Sequence, residues 1–578
     1  MDSQLEVKMG QLRPAKLEKK EPKVFNKGEV TLEPTARLMR FLYIGNDRNV
    51  MVSQRCNPIS LDDLDNRLSF IKDMAALRFS LPFGIIKKVM LSDTLRRNDE
   101  AILAIAYCLR RVTNIAAVDI PKMQAEIYRA VPDLLKTDSD LFLFVSLNCK
   151  VYNKTSFGRG MKTAIRLWYE QRTAKELADI FGRNRGMHGW THCDIIRMCH
   201  LKFDETTEND KAKVIATLFK RSTATITDLK AQQATVPDEN WPEAIKRIYQ
   251  ICSLKVNESA SDAAEMIRLY NFDIEQLPIH LISQIEIWDI LIPTMSYRDV
   301  LKVLQTLHSL NMLKPDDALL KKMSGPLGNS NLIKASNMHP LEIYSICKSY
   351  EKNERYNETV KNKWYQKKKV KKLGLVTSPT ITERLLVGVN HATNSSPQTG
   401  CDFCITLDLR ESAKKRAVLR MKQVTCLEAM VLFALTFQKR ERNTSIFSFT
   451  PHEDVLMPIP FTTDMTFEQA LTYCEKLVVK RTKPKLSLPM QYVDKKFKNT
   501  IFITIVDSVA RFCQSGEAPI DQFRLYRKTH THSKFIVLNL QRSDGDLQFS
   551  YEKGFLEICG LTPDTWKIIN AFATNSFA

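Results

Sequence analysis

The sequence predicts an α-helical HEAT-like repeat array followed by an α/β domain built on a doubly wound parallel sheet. Three observations carry this. Apolar residues recur at three and four positions through most of the first 389 residues, the period of a helix buried on one face. Beyond a polar stretch the texture changes to short β-branched and aromatic runs with helical segments between them. Glycine is scarce, 18 in 578 residues, which argues against a glycine-rich all-β chain.

Taken in order, residues 1–34 are polar, rich in Lys and Glu and poor in apolar anchors, and read as a flexible basic tail. Residues 35–389 read as the repeat array. Met161, Ala164, Ile165 and Trp168 lie on one helical face, as do Val300, Leu301, Leu304 and Leu307. Polar breaks at 92–94 and 315–317 separate helices, and the pattern fits stacked antiparallel helix pairs with no strict sequence period. Such an array offers a long curved surface to an extended ligand. Residues 390–400 (NHATNSSPQTG) read as a linker, and 401–578 as the α/β domain. Strands are expected at 403–409, 445–449, 500–507 and 534–540, and helices at 414–437 and 466–478. Thr466 and Gln469 make a capping box for the second helix. Alternating strands and helices imply a parallel sheet that binds ligands at the carboxyl ends of its strands.

The formal net charge is +20. A charge this large favours a polyanionic partner, although a merely soluble basic protein also carries such a charge. No apolar run reaches the roughly 18 residues of a membrane span. The N-terminus lacks the apolar core of a signal peptide, so a cytoplasmic protein, with nuclear residence also open, is expected. The 13 cysteines are scattered and odd in number, the pattern of reduced, buried thiols.

Several stretches resemble the SS-A/Ro ribonucleoprotein family, whose members join a TROVE domain to a von Willebrand A-like domain. They are ArgPheLeuTyrIleGly (40–45), PheGlyArgGly (157–160) and HGWTHCDIIRMCHLK (188–202), then MetHisProLeuGluIle (338–343) and LysTrp (363–364). ThrThrAspMetThr (462–466) and SerLeuProMet (487–490) continue the series in family order. The resemblance implies a ring of helical repeats. It also implies binding of small structured noncoding (Y-like) RNAs on the outer surface and capture of the 3′ ends of misfolded RNAs, in RNA quality control. The positions that contact Y RNA in the family correspond to Arg183, Arg185 and His200, while one family arginine corresponds to Met187.

The residues themselves point the same way. Residues 150–202 hold eleven Lys/Arg against four Asp/Glu. Arg159, Lys162 and Arg166 fall on the face opposite the apolar seam. Arg183 and Arg185 sit in a glycine-flanked stretch that can bring guanidinium groups to phosphates. Arg197 and His200 share a helix face, His192 can stack or donate, and Lys202 follows. Trp190 can stack on a base, although packing a corner is the alternative; for His200 the alternative is a satisfied histidine at a helix end. The run KNKWYQKKKVKK (361–372) interleaves seven lysines with Trp364 and Tyr365, which suits RNA, a solvated helix end or a nuclear-import signal.

The von Willebrand A resemblance implies a Mg²⁺ loop of pattern Asp-x-Ser-x-Ser. Asp408, Ser412 and Asp507 match ligand positions, but Arg410 replaces the first serine and Thr482 is offset. A guanidinium repels a divalent cation, so Arg410 is expected to pair with Asp408 or Asp507 in a degenerate site, without metal function. Cys401 and Cys404 lack a second pair. His192, Cys193, Cys199 and His200 cannot all converge from one helix, so neither group reads as a zinc site. No nucleophile elbow, phosphate loop or paired catalytic carboxylates stand in a persuasive context, and a non-enzyme is expected. An RNase using histidine pairs is the enzymatic competitor. The expected partner is small noncoding RNA bound by a monomer, with protein partners at the C-terminal domain and no membrane; the alternative is a protein-interaction scaffold whose RNA binding has decayed.

Overall fold

The computed structural model describes residues 32–52, 61–92, 94–153, 157–183, 186–200, 210–222, 241–314, 318–352, 354–355, 371–372, 377–395, 398–452, 454–492, 500–507, 519–542 and 552–577. The break at 315–317 and nearly all of the tail lie outside these, as does the lysine run 361–372 apart from Lys371 and Lys372.

The opening helix, Pro34–Ile44, starts on a proline and buries Leu38, Phe41 and Leu42. It stops at Gly45, whose left-handed φ of 81° favours glycine, which has no Cβ to strain there. Helices Asp99–Arg111 and Asp138–Tyr152 pack on each other. They are buried almost all round, from Ala101 to Leu109 and from Leu141 to Asn148, as inner helices must be. Helices then pair in steps along the chain: Asp119–Leu134 with Arg159–Glu170, Ala174–Arg183 with Glu243–Val256, and Pro340–Lys352 with Pro379–Ser395. The expected stripe Val300, Leu301, Leu304 and Leu307 is buried on Tyr297–Ser309. This is the expected helical repeat array.

The α/β domain has a seven-stranded sheet. Its strands in chain order are β1 (Val50–Val52), β2 (Asp402–Leu407), β3 (Thr444–Phe449), β4 (Leu456–Pro458), β5 (Thr500–Val506), β6 (Lys534–Asn539) and β7 (Phe555–Cys559). The spatial order is β1-β7-β6-β5-β2-β3-β4, parallel except for the edge strand β4. Each central strand is buried on both faces. Ile501, Ile503 and Ile505 face the core shared with the helices, while Phe502 and Val506 face a second core with Phe523 and Phe535. Parallel strands covered on both sides need such unbroken apolar runs. Strand order reverses between β2 and β5, which opens a crevice at their carboxyl ends.

Three readings are corrected. The stretch 390–400 is not all linker, because helix Pro379–Ser395 runs into it: buried Thr393 packs there and Asn390 binds the domain beyond. The helix expected at 414–437 is a short helix, Glu411–Lys415, then an antiparallel pair of Ala417–Val418 with Met421–Thr425, then helix Cys426–Arg440. Arg420, at φ 73°, makes the turn that a continuous helix excludes. Third, residues 50–52, assigned to the helical part, form an edge strand of the C-terminal sheet: Val50, Met51 and Val52 pair with Glu557, Ile558 and Cys559.

The helical array therefore begins and ends on the α/β domain. At its start, Tyr43 stacks on Phe577 at 4.8 Å and Asn49 accepts the Glu557 amide at 2.8 Å. At its end, Tyr344 donates its hydroxyl to Glu428 at 2.7 Å and packs edge-on against Phe467. His339 stacks on Trp566, and Asn390 both donates to Glu468 and accepts the Phe467 amide.

Candidate nucleic-acid interface

The basic ridge rests on a locked seam. Met161, Ala164, Ile165, Trp168 and Tyr169 are the buried face of helix Arg159–Glu170. The Trp168 indole N–H donates to the Leu135 carbonyl at 2.6 Å. The Arg172 guanidinium lies 3.2 Å from the centre of the Trp168 ring and donates to the Trp168 and Lys136 carbonyls. At Gly160 a Cβ would stand 2.5 Å from the Tyr128 ring, so only glycine lets the helix approach so closely.

On the opposite face Arg159 and Arg166 are exposed and Lys162 is half-buried, as the helical spacing predicts. Arg166 also pairs with Glu170 at 2.6 Å. Lys162 lies close enough to Cys199 to act on its thiol, which burial pushes up to about 12. This brings the ridge to the end of helix His192–Cys199, where Arg197 and His200 are exposed. That helix starts at a capping box made by Thr191 and Asp194 and ends at His200, in the left-handed region at φ 51°.

Between the two lies a tight turn. Met187 and Trp190 exchange backbone hydrogen bonds of 3.0 and 2.9 Å around His188 and Gly189, both at positive φ, a type I′ hairpin. Trp190 packs on Phe157 at 5.5 Å, the corner-packing alternative. His188 is exposed; partial burial and then Lys150 lower its pKa. Lys150 and Tyr152 end the neighbouring helix, Asp138–Tyr152, and join this face only through the fold. Tyr152 is 43% exposed, with the Arg110 guanidinium 4.7 Å from its ring centre, and offers a surface for stacking.

His192 is a correction. It is 2% exposed, its Nδ1 lies 2.9 Å from the Tyr169 hydroxyl, and its ring packs against Phe142 at 4.7 Å. Burial lowers its pKa to about 4. It is a neutral core residue with no surface to give to RNA. Arg183 ends helix Ala174–Arg183 with its side chain outside the described residues; Arg185 and Lys202 lie outside them altogether.

The second predicted locus is the sheet crevice. Asp408, Arg410 and Asp507 are all within 2% of full burial. Arg410 pairs with Asp408, and its Nη2 also lies 3.5 Å from Asp507. Thr482 donates to Asp408 at 2.5 Å, Ser412 donates to Asp507 at 2.7 Å, and Arg416 approaches Asp507 at 3.6 Å. The expected salt bridge thus forms with both carboxylates, and Thr482 reaches the cluster despite its offset.

A family model described as the Ro60 vWA domain matches residues 402–573, the whole sheet except β1. A Caenorhabditis elegans protein named RNA-binding protein RO60 is 22% identical over 590 residues, covering 94% of this chain and 84% of that one. The chain is thus similar to Ro60 proteins over nearly its whole length. A Deinococcus radiodurans RNA-binding protein RO60 is 21% identical over 320 residues, covering 54% of this chain and 53% of that one. The crystal structure of Deinococcus radiodurans RO (RSR) protein superposes with a TM-score of 0.75 at 17% identity, over 94% of this chain and 99% of that one. The Ro60-type array and vWA sheet are therefore shared as a fold. The Mg²⁺ implied by a vWA crevice does not fit the residues here: a guanidinium occupies the space between the two carboxylates, and both already hold donors.

Proposed function

We propose that this protein binds small structured noncoding RNA of the Y-like kind and the 3′ single-stranded ends of misfolded RNA, as a ribonucleoprotein component in RNA quality control. It acts as a monomer in the cytoplasm, with a nuclear fraction, and by binding rather than catalysis. The observation that carries this reading is the ridge of exposed Arg159 and Arg166 with half-buried Lys162 between them, running to exposed Arg197 and His200 above a buried seam. Cations held at fixed spacing meet successive phosphates, and Tyr152 and His188 add stacking surfaces. Two relatives bear the name RNA-binding protein RO60, which supports the reading.

The test is a salt titration of the full chain on a hairpin RNA with a single-stranded 3′ tail, for wild type and Arg159→Ala/Lys162→Ala. The pair should weaken binding and flatten the log–log salt slope by about 1.4–1.8, roughly 0.7–0.9 for each lost phosphate contact. Equal slopes in both proteins would remove the ridge from the RNA contact. Met187, 43% exposed at the turn where the family carries an arginine, favours the scaffold reading, which a wild type without RNA affinity would support.

A further inference from the structure

The two chain segments that frame the arginine-filled crevice are themselves strongly basic. Residues 410–422 and 475–485 together hold eleven Lys/Arg against two acids, Glu411, which pairs with Lys415 at 2.6 Å, and Glu475, which pairs with Lys414 at 3.3 Å. The fold places them side by side: the Glu411 amide donates to the Val479 carbonyl at 3.0 Å and the Val479 amide to Leu409 at 3.2 Å. Lys414, Arg416, Lys480 and Arg481 are exposed at the carboxyl ends of the strands, where α/β sheets take ligands. Arg481 flanks Thr482, which is bonded to Asp408, so the surface charge begins at the crevice wall. Neither Lys480 nor Arg481 makes an ion pair among the described residues, and the Arg416 side chain is 44% exposed while it touches Asp507.

We propose that this face of the vWA domain is a second, metal-independent RNA contact, in which Arg410 permanently fills the cation position and the rim of Lys414, Arg416, Lys480 and Arg481 binds the phosphodiester backbone. A vWA crevice with a metal would capture an acidic group through that ion; here the positive charge belongs to the chain. The chemistry of the rim selects phosphate over an acidic protein. Protein interfaces are anchored by exposed aromatic and large apolar residues and are poor in lysine at their centre. None of the exposed large hydrophobic residues among those described falls in 410–422 or 475–485. Flexible lysines and arginines without apolar anchors suit a phosphate chain, which they meet by counterion release.

This inference rests on the RNA reading above, and one experiment separates the two. The salt titration is repeated on the full chain with Lys480→Ala/Arg481→Ala beside Arg159→Ala/Lys162→Ala, using the same tailed hairpin, with and without EDTA. The rim pair should flatten the slope by about 1.4–1.8, like the ridge pair. EDTA should leave wild-type affinity unchanged, and an oligoglutamate peptide should not displace the RNA. Both substitutions are at exposed side chains, so an unchanged thermal midpoint confirms the fold. A flattened slope in the ridge pair with a wild-type slope in the rim pair would sink the rim and leave the ridge standing. The reverse would keep the rim and remove the ridge. Loss of the rim contribution in EDTA, or displacement by the peptide, would overturn the fixed-charge phosphate site in favour of a metal-bridged or protein-binding one.

Discussion

Two histidines show how much a residue's role depends on its surroundings. His192 lies in a basic segment and its type suits RNA, yet the Tyr169 hydroxyl and the Phe142 ring enclose it. His339 stacks on Trp566 and accepts the Leu341 amide at its Nδ1, 3.2 Å away. Burial, then Arg440, lowers the pKa of His339 to about 3; burial lowers that of His192 to about 4. Both are therefore neutral in the folded chain, whereas the unfolded chain takes the protons near 6.5. Between these values the unfolded state binds more protons, so stability is full above about pH 6.5 and falls as pH drops toward 4. The loss should approach ~1.4 kcal/mol per pH unit for each histidine. Denaturant titrations at several pH values check this. His339→Asn keeps an amide acceptor at the helix start and should give a lower but flatter profile. A profile as steep as that of wild type would exclude His339 as a source of the slope.

At the scale of the element, the β2 loop trades a metal ligand for an internal ion pair. Arg410 was legible as an obstacle to Mg²⁺ from its place in Asp408-Leu409-Arg410-Glu411-Ser412, and a partner among the carboxylates followed from charge alone. That it spans both Asp408 and Asp507 follows from the parallel pairing of β2 with β5, which sets the two strand ends together. Replacing it with an apolar residue leaves two buried carboxylates facing each other, and Arg410→Met should cost about 3–5 kcal/mol in chemical denaturation. Arg410→Ser restores the oxygen-ligand pattern, and Mn²⁺ should raise its thermal midpoint while leaving that of wild type unchanged. Mn²⁺ stabilisation of wild type that disappears in Asp408→Asn would show that the guanidinium moves aside for metal.

Across the whole molecule, the two ends of the helical array rest on one domain. β1 supplies the first attachment; Tyr344, Asn390 and His339 supply the second. The buried core is continuous from the helices into one face of the sheet, so the array and the sheet should unfold together. Met51, 1% exposed on β1, is the most local handle on the first attachment. Met51→Asp buries an unpaired carboxylate there, a change expected to cost several kcal/mol and to free the start of the array. Calorimetry should then show two transitions where wild type shows one. A single transition at the wild-type midpoint would mean that β1 contributes little to holding the two parts together.

The sequence by itself determined the helical period, the four long strands β2, β3, β5 and β6, the capping box at Thr466 and the placing of Arg159, Lys162 and Arg166 on the face opposite the buried seam. Each of these follows from local spacing, which residues within a few positions settle. Only the tertiary structure decided the rest. β1 is three residues long and β4 an edge strand, so neither carries a periodic signal; their assignment comes from partners far away in the chain, hundreds of residues in the case of β1. His192 is buried by Phe142 and Tyr169, neither of them a neighbour in sequence. The basic rim likewise joins two segments through hydrogen bonds between 409–411 and 479, a proximity that no local pattern of charge encodes.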